Sequence, residues 1–275
     1  EAVGVGTNLS NDVIIAKMKA INEQFRKIPG STGDGDGADM EIEFVLAVKD
    51  PQGNQTSGIV HYDMTGQTAY LNYGINNKNT NGISEANLKA LSFWDSNIYY
   101  NIWIVSEVDD NNGENGIIGA AQPATEHGKP LDGFYSCSSS FKNPLSRLET
   151  HELGHAFLLY HTFQGDVSGT GTLICPPNDD PAAQGDLISD TAPHKRASNT
   201  TGDCSVTSND CYPDNTDLSY LHNYMNYTLD GCRNMFTAGQ KTRAIAVFNY
   251  YRSSFKSPTS TDKLKPVAAP IAGFT

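Results

Sequence analysis

The stretch HELGHAFLLYH, residues 151–161, sets imidazoles at positions 151, 155 and 161 and a carboxylate at 152. On a helix, residues four apart share a face, so His151 and His155 can offer two nitrogens to one divalent ion while Glu152 points beside it toward a bound water. Two ligands plus an acid–base group that is not a ligand is the mechanical content of the HExxH pattern. For five residues alone, the competing reading is a pair of surface histidines on an ordinary helix. A hydrolytic zinc site needs a third protein ligand and an open position. One common source is a later glutamate, and no glutamate follows Glu152. His161 is the other.

If the helix ran on, His161 would be rotated by about 240° from His155 and displaced by about 9 Å along the axis, out of reach of the same ion. The chain must therefore leave the helix between them, and the third position after His155 is where a left-handed residue would turn it. Glycine takes that conformation freely, whereas leucine costs roughly 1–2 kcal/mol. An apparent zinc-binding free energy of about 10–16 kcal/mol at structural sites absorbs that cost. Leu158 is expected in a left-handed or strained turn. A helix continuing through Tyr160 would exclude His161 as a ligand.

A second motif, HNYMNY from His222 to Tyr227, follows some sixty residues on. With HExxHxxxxxH it resembles the metzincins, in which a methionine turn underlies three histidines. The longer set HELGHAFLLYHTFQGD, GDLISDTAP, HNYMNYTLDGCRNMFTAGQ and SNDVIIAKMKAINEQFRK resembles the pappalysin-type metzincins, from about residue 8 to 250. The resemblance implies an α+β metzincin-type catalytic domain over 1–256. Its N-terminal lobe, 1–161, would hold a twisted mixed sheet and the active-site helix. Its C-terminal lobe, 162–256, would be irregular and disulfide-bonded, with one long helix.

The same resemblance implies a secreted zinc endopeptidase acting on protein or peptide substrates. In it His151, His155 and His161 bind one Zn2+, Glu152 is general base and acid, Tyr227 assists at the oxyanion, and Met225 forms the floor. It implies disulfides Cys175–Cys211 and Cys204–Cys232, where the four cysteines alone allow three connectivities. It implies a structural Ca2+ near Asp186, Asp190 and Thr191. It also makes Asp230 the base of the S1′ pocket, selecting Lys or Arg at P1′. A surface aspartate in a turn beside Gly231 is the bland reading of that residue. Substrate would lie extended along Gly119, Ala120 and Ala121, backbone to backbone. Two rivals stay open: an exported zinc-bound binding module that has lost catalysis, and a structural zinc site in an adhesion protein, which would need a fourth protein ligand.

The elements that must hold these residues are legible in part. Ser10 can cap an amphipathic helix over about 10–27 with Val13, Ile14, Met18, Ile21 and Phe25 on one face. Alternation of Ile42, Phe44, Leu46 and Val48 predicts a strand, the Asp50 to Gly53 segment a turn, and GIVHYDM a second strand. Ser84 can cap a short helix. YYNIWIV, GIIGAAQPA and LDGFYSCSS read as three further strands, the middle one at an edge ended by Pro123. A helix over about 145–158 carries the first two histidines. Between His161 and His222 there is little periodicity, which in a compact domain points to a functional or crosslinked loop. Thr237 and Gln240 form a capping-box pattern for a last helix to about Phe255.

Composition sets the outer limits. With 275 residues the chain can bury a substantial core, and its net charge of -12, from 31 acidic against 19 basic side chains, disfavours nucleic-acid phosphates and anionic lipid as partners. No apolar run is long enough to span a membrane. Four of the five cysteines crowd the glycine- and asparagine-rich region from Cys175 to Cys232. Disulfides there would replace a core that such a region cannot build, and would place the protein outside the cytosol. Cys137 reads as a buried free thiol. EAVGVGTNLS has neither the basic start nor the apolar run of a signal peptide, so an exported chain beginning here would be a mature or trimmed form. Residues 257–275 read from composition as a linker, and PVAAPIAGFT resembles the opening of a β-sandwich module of the polycystic-kidney type, an accessory domain on the C-terminal side.

Overall fold

A computed structural model describes residues 1–114, 116–177, 179–196, 204–211 and 217–265. Helix α1 (Asn11–Phe25) begins where the Ser10 hydroxyl accepts the Val13 amide, and it buries Ile14, Met18, Ile21 and Phe25 as its periodicity requires. The elements that follow are α2 (Thr68–Tyr73), β1 (Ile75–Asn76), β2 (Ile83–Ser84), α3 (Glu85–Ser92), β3 (Ile102–Val105), β4 (Gly119–Ala121) and β5 (Phe134–Cys137). Then come α4 (Ser138–Lys142), α5 (Leu148–Ala156), α6 (Ala238–Tyr251) and α7 (Pro258–Asp262). The fold is α+β with a mixed sheet of order β3-β5-β4. β5 runs parallel to β3 with Ile102 opposite Phe134, and antiparallel to β4 with Ala120 opposite Tyr135.

All four residues of β5 are buried, which is why its sequence does not alternate apolar with charged residues and why its one hydroxyl on the α5 side, Ser136, is paired with Glu149. One core lies between the sheet, α1, α5 and α6, and includes Phe25, Phe134, Phe141, Leu153, Phe157, Tyr224, Met225 and Phe236. A second, around Trp103, Val105, Tyr135 and Cys137, packs α3 and the parallel β1–β2 pair against the sheet. Cys137 is free and buried, and burial pushes its thiol up to about 12, so it is a packing residue.

Three expectations are corrected. The segments around 42–48 and 58–64 form no ladder; only their base is joined, by the Lys49–Gln55 bridge and the Thr56 amide on the Val48 carbonyl at 3.0 Å. The reason lies in α1: Asn22 takes both backbone groups of Phe44 at 2.8 Å, supplying what a neighbouring strand would have supplied. The second segment is held to the start of α1 by side chains, the His61 ring bonding Asn8 and Asn11 at 2.7 and 2.8 Å. The strand read over LDGFYSCSS stops at Cys137, and the serines turn into α4, where Ser140 and Ser146 hydroxyls bond each other at 2.7 Å. The stretch read as a linker begins folded: α7 buries Ser260, and Asp262 meets Lys49 at 2.9 Å. PVAAPIAGFT lies outside the described residues.

Polar anchors fix the active-site helix from both ends. Lys17 of α1 reaches Glu149 at 3.2 Å and the Asn143 carbonyl at 2.7 Å, and Ser136 of β5 donates to Glu149 at 2.8 Å. At the far end Arg252, just past α6, donates to the Ala156 carbonyl at 3.3 Å and forms two bonds with Asp132 at 2.7 and 2.9 Å. Burial works against the ionised Asp132, but hydrogen bonds from His127 and Arg252 outweigh it and lower its pKa. The α6 start carries the complete capping box of Thr237 and Gln240. Replacing Arg252 by Met leaves the buried Asp132 with only the His127 ring at 3.2 Å as partner and is expected to destabilise the fold by about 3 kcal/mol. Thr237→Ala, which removes one cap, should cost only about 1 kcal/mol. Equilibrium urea unfolding of the two variants checks the ranking.

Candidate active site

Helix α5 ends in a left-handed cap at Leu158, with φ of 57°. The Leu158 amide bonds the His155 carbonyl at 2.9 Å and the Leu159 amide bonds the Gly154 carbonyl at 3.1 Å. Those two bonds make a Schellman cap with leucine where glycine is usual. The turn closes around His155, whose Nδ1 lies 2.8 Å from the Leu159 carbonyl. Beyond it, the Thr162 amide bonds the Met225 carbonyl at 3.2 Å, so the methionine turn holds the backbone immediately after His161.

Met225 is fully buried beneath α5. A Cβ on Gly154 would collide with the Met225 sulfur, which explains the glycine inside the HELGH run. Asn223 Oδ1 accepts the Met225 amide at 2.9 Å, and Asn223 is itself held by Gln240 of the capping box at 2.8 Å. The floor is thereby tied to the start of α6.

The consequence is convergence of the three imidazoles. Their Nε2 atoms lie 3.1, 3.1 and 3.2 Å from one another. His151 Nδ1 sits 2.7 Å from the Tyr224 carbonyl and His155 Nδ1 faces Leu159 O. A ring nitrogen facing a carbonyl carries the proton, so the Nε2 of each of these two rings is left as a bare lone pair. Burial, reinforced by the neighbouring rings, drives His151 well below the usual histidine range and His161 down to about 3. Three neutral donors at this spacing repel one another unless a cation lies among them, and zinc–nitrogen bonds of about 2.0–2.1 Å span it. The residues fit a zinc ion. Among the described residues theirs is the metal-capable cluster of three or more side chains.

Glu152 is nearly buried and accepts the Ala121 amide at 2.9 Å. Burial raises its carboxyl to about 7, the Ala121 bond working the other way. In β4 the carbonyl of Ile118 and the amide of Gln122 pair with the β5 side. By alternation Gly119 and Ala121 turn outward, toward α5, leaving an edge. The Tyr227 ring lies 4.7 Å from His161 and 5.6 Å from His151. Burial, followed by Glu152, raises its phenol.

Similarity to known proteins was tested against this geometry. The family model described as pregnancy-associated plasma protein-A, a peptidase family, matches residues 82–249, which include the three histidines and the methionine turn. The chain belongs to the pappalysin family. An extracellular metalloprotease of Sordaria macrospora is 42% identical over 110 residues, covering 40% of this chain and 32% of that protein. One from Colletotrichum graminicola is 38% identical over 115 residues, covering 42% and 35%. The aligned stretch thus spans about a third of the length of these curated relatives. Mature mirolysin of Tannerella forsythia, solved in complex with a cleaved peptide, superposes with a TM-score of 0.61 at 25% identity, covering 95% of this chain and 91% of that one.

Other site residues fall in different places. The disulfides are Cys175–Cys211 and Cys204–Cys232. Asp186 and Thr191 meet, the hydroxyl donating to both carboxylate oxygens at 2.7 and 2.8 Å, but Asp190 is engaged elsewhere. It accepts Thr237 Oγ1 at 2.7 Å and the Gly239 amide at 2.8 Å at the start of α6. Asp230 is paired: it accepts the Arg147 amide at 3.1 Å and forms an ion pair with Arg233. Sequence reasoning missed Phe163, stacked on His161 at 4.8 Å, and the Asp166–Arg196 pair, at 2.6 Å, whose guanidinium covers Phe163. An aromatic two residues after the last histidine was the one available signal. The partner of Asp166 lies thirty residues on and carried none.

Asp186 supplies a pH test. Burial raises its carboxyl from 3.8 to about 6, so between those values the unfolded chain releases a proton that the folded chain keeps, and stability falls as pH rises. The full difference, about 3 kcal/mol at most, is reached above pH 6. In calcium-free buffer, Asp186→Asn should therefore gain on the natural chain in thermal midpoint between about pH 4 and 6.5. Parallel pH profiles of the two would expose the wrong assignment of this slope.

Proposed function

We propose that this pappalysin-family chain is a secreted zinc endopeptidase, with His151, His155 and His161 as the metal ligands and Glu152 as general base and acid. The observation that carries the reading is the meeting of three imidazole Nε2 atoms within 3.2 Å, above a buried methionine. A zinc ion held there supplies Lewis acidity and brings the pKa of its water to about 7. Glu152, held at the edge strand by the Ala121 amide at 2.9 Å, would take a proton from the attacking water and return it to the departing amine. Tyr227 is assigned to the oxyanion, and the outward backbone of Gly119 and Ala121 to an extended substrate, with Ala120 between them bonded inward to β5. The extracellular relatives, the two disulfides and mirolysin's cleaved peptide support export and peptide substrates.

Two finer readings stand differently. Calcium is supported by Asp186, a buried carboxyl raised to about 6 whose ionisation a cation would favour; Asp190, committed to α6, weighs against a direct share. Added Ca2+ at pH 7 should raise the thermal midpoint of the natural chain and leave that of Asp186→Asn in place. Selection of Lys or Arg at P1′ requires an Asp230 carboxylate free to meet the incoming side chain, and its pairing with Arg233 weighs against that.

Glu152→Ala tests the core of the proposal. The variant should keep zinc at one ion per chain while peptide cleavage falls by about 10²-fold or more, the scale of a lost proton-transfer group. A natural chain that holds zinc yet cleaves nothing would instead support the binding-module reading. Elemental analysis alongside a quenched-fluorescence assay distinguishes the two.

A further inference from the structure

Arg233 is a charged residue beside the metal site that the proposed mechanism leaves unused. Its side chain is only 11% exposed. One guanidinium nitrogen contacts the Tyr224 and Asn226 carbonyls at 3.5 and 3.3 Å, and another pairs with Asp230. Its Nε is buried without a hydrogen-bond partner. Tyr224 O is the same carbonyl that faces His151 Nδ1. The guanidinium therefore sits one carbonyl away from a metal ligand, between the methionine turn and the start of α5.

The same corner holds a second cation. Arg147, the residue before α5, is buried; its guanidinium donates to the carbonyls of Arg233, Pro144 and Leu145 at 3.3, 3.3 and 2.8 Å. No carboxylate lies in ion-pair range of it among the described residues. Asp230 is about one-third exposed and carries the single negative charge of this trio. Two guanidinium groups against one carboxylate leave the corner net positive.

Its place relative to substrate follows from the edge strand. Along β4, Ala121 meets Glu152, and Gly119 lies against Leu148 in the first turn of α5. An extended substrate on this edge thus passes from Glu152 toward the Leu148 end, where Asp230 binds the Arg147 amide.

We infer that Arg233 sets the side-chain selectivity of this subsite by occupying Asp230, so that Lys and Arg are disfavoured there and uncharged or acidic side chains are accepted. The inference rests on the endopeptidase reading and on Asp230 lining the P1′ subsite. A carboxylate already satisfied gains little from a second cation, and the remaining positive charge of Arg147 and Arg233 repels one. An incoming lysine would also lose its hydration without a free partner. Removing Arg233 reverses the balance, because Asp230 then has only the Arg147 amide and an open side toward solvent.

The test is a cleavage profile over a peptide library by the zinc-loaded natural chain, Arg233→Met and Asp230→Asn. The natural chain should show Lys and Arg depleted at P1′ relative to Leu, Gln and Glu. Arg233→Met should raise kcat/KM for P1′ Lys or Arg relative to Leu by about tenfold or more, the gain expected when one paired charge is freed, equivalent to about 1.4 kcal/mol. Asp230→Asn should deepen the depletion and favour acidic residues, and it serves as the check if Arg233→Met folds poorly. A natural profile dominated by P1′ Lys and Arg overturns the inference while leaving the peptidase reading intact. Absence of all cleavage overturns the peptidase reading instead; calorimetric binding of the same peptides then ranks the subsite, and tightest binding of the Lys or Arg peptides would still refute the role of Arg233.

Discussion

Three uncharged imidazole nitrogens held about 3 Å apart are the constraint on which the rest of the site depends. Their close approach is unfavourable without a partner, His151 is buried and the other two rings are half-buried, and a cation among them makes the arrangement favourable. Everything around them opposes relaxation. Carbonyls of Tyr224 and Leu159 fix the tautomers of His151 and His155, and Phe163 stacks flat on His161. The protein has built a rigid donor set and left its stabilisation to an ion.

That donor set requires α5 to stop abruptly after His155 and the chain to return. Leu158 accepts a left-handed conformation for this purpose, and the cost is met by the two cap bonds and by burial of Leu159. The methionine turn then serves two ends. Its sulfur fills the space that Gly154 leaves open, and its carbonyl secures the amide after His161. Because Asn223 links this turn to the capping box of α6, the irregular lobe is positioned by a helix start as well as by the core residues Tyr224, Met225 and Phe236. The disulfides do the same work for the segments around Cys204 and Cys211.

Charge is arranged asymmetrically about α5. Lys17, Ser136 and Glu149 anchor its first turn, and Arg252 with Asp132 its last, each group buried and charge-paired. Against the pull of burial Glu152 has the Ala121 amide and a weaker attraction to Arg233, and burial wins, so its proton affinity is lifted. Asp230, which resemblance alone would leave free at a pocket base, shares a corner with two arginines. The same residue type thus serves different ends according to which cations the fold brings near it.

Much of the site was legible in the order of residues because its logic is local. The 151–155 spacing fixes two ligands on one face, the missing later glutamate leaves His161, and the geometry of an unbroken helix demands a turn near Leu158. The helices α1, α3 and α6 were equally readable, since each carries a capping side chain and a 3.6-residue apolar period. What the sequence could not decide was partnership across distance. Whether residues 42–48 form a ladder depended on Asn22 taking the backbone of Phe44. Whether Asp190 faces a cation or a helix start depended on Thr237, forty-seven residues away. Whether Asp230 is free depended on the rotamer of Arg233, which tertiary packing alone selects. Hydrogen bonds and ion pairs are decided at about 3 Å, and sequence spacing reports such distances only within a helical turn or a hairpin.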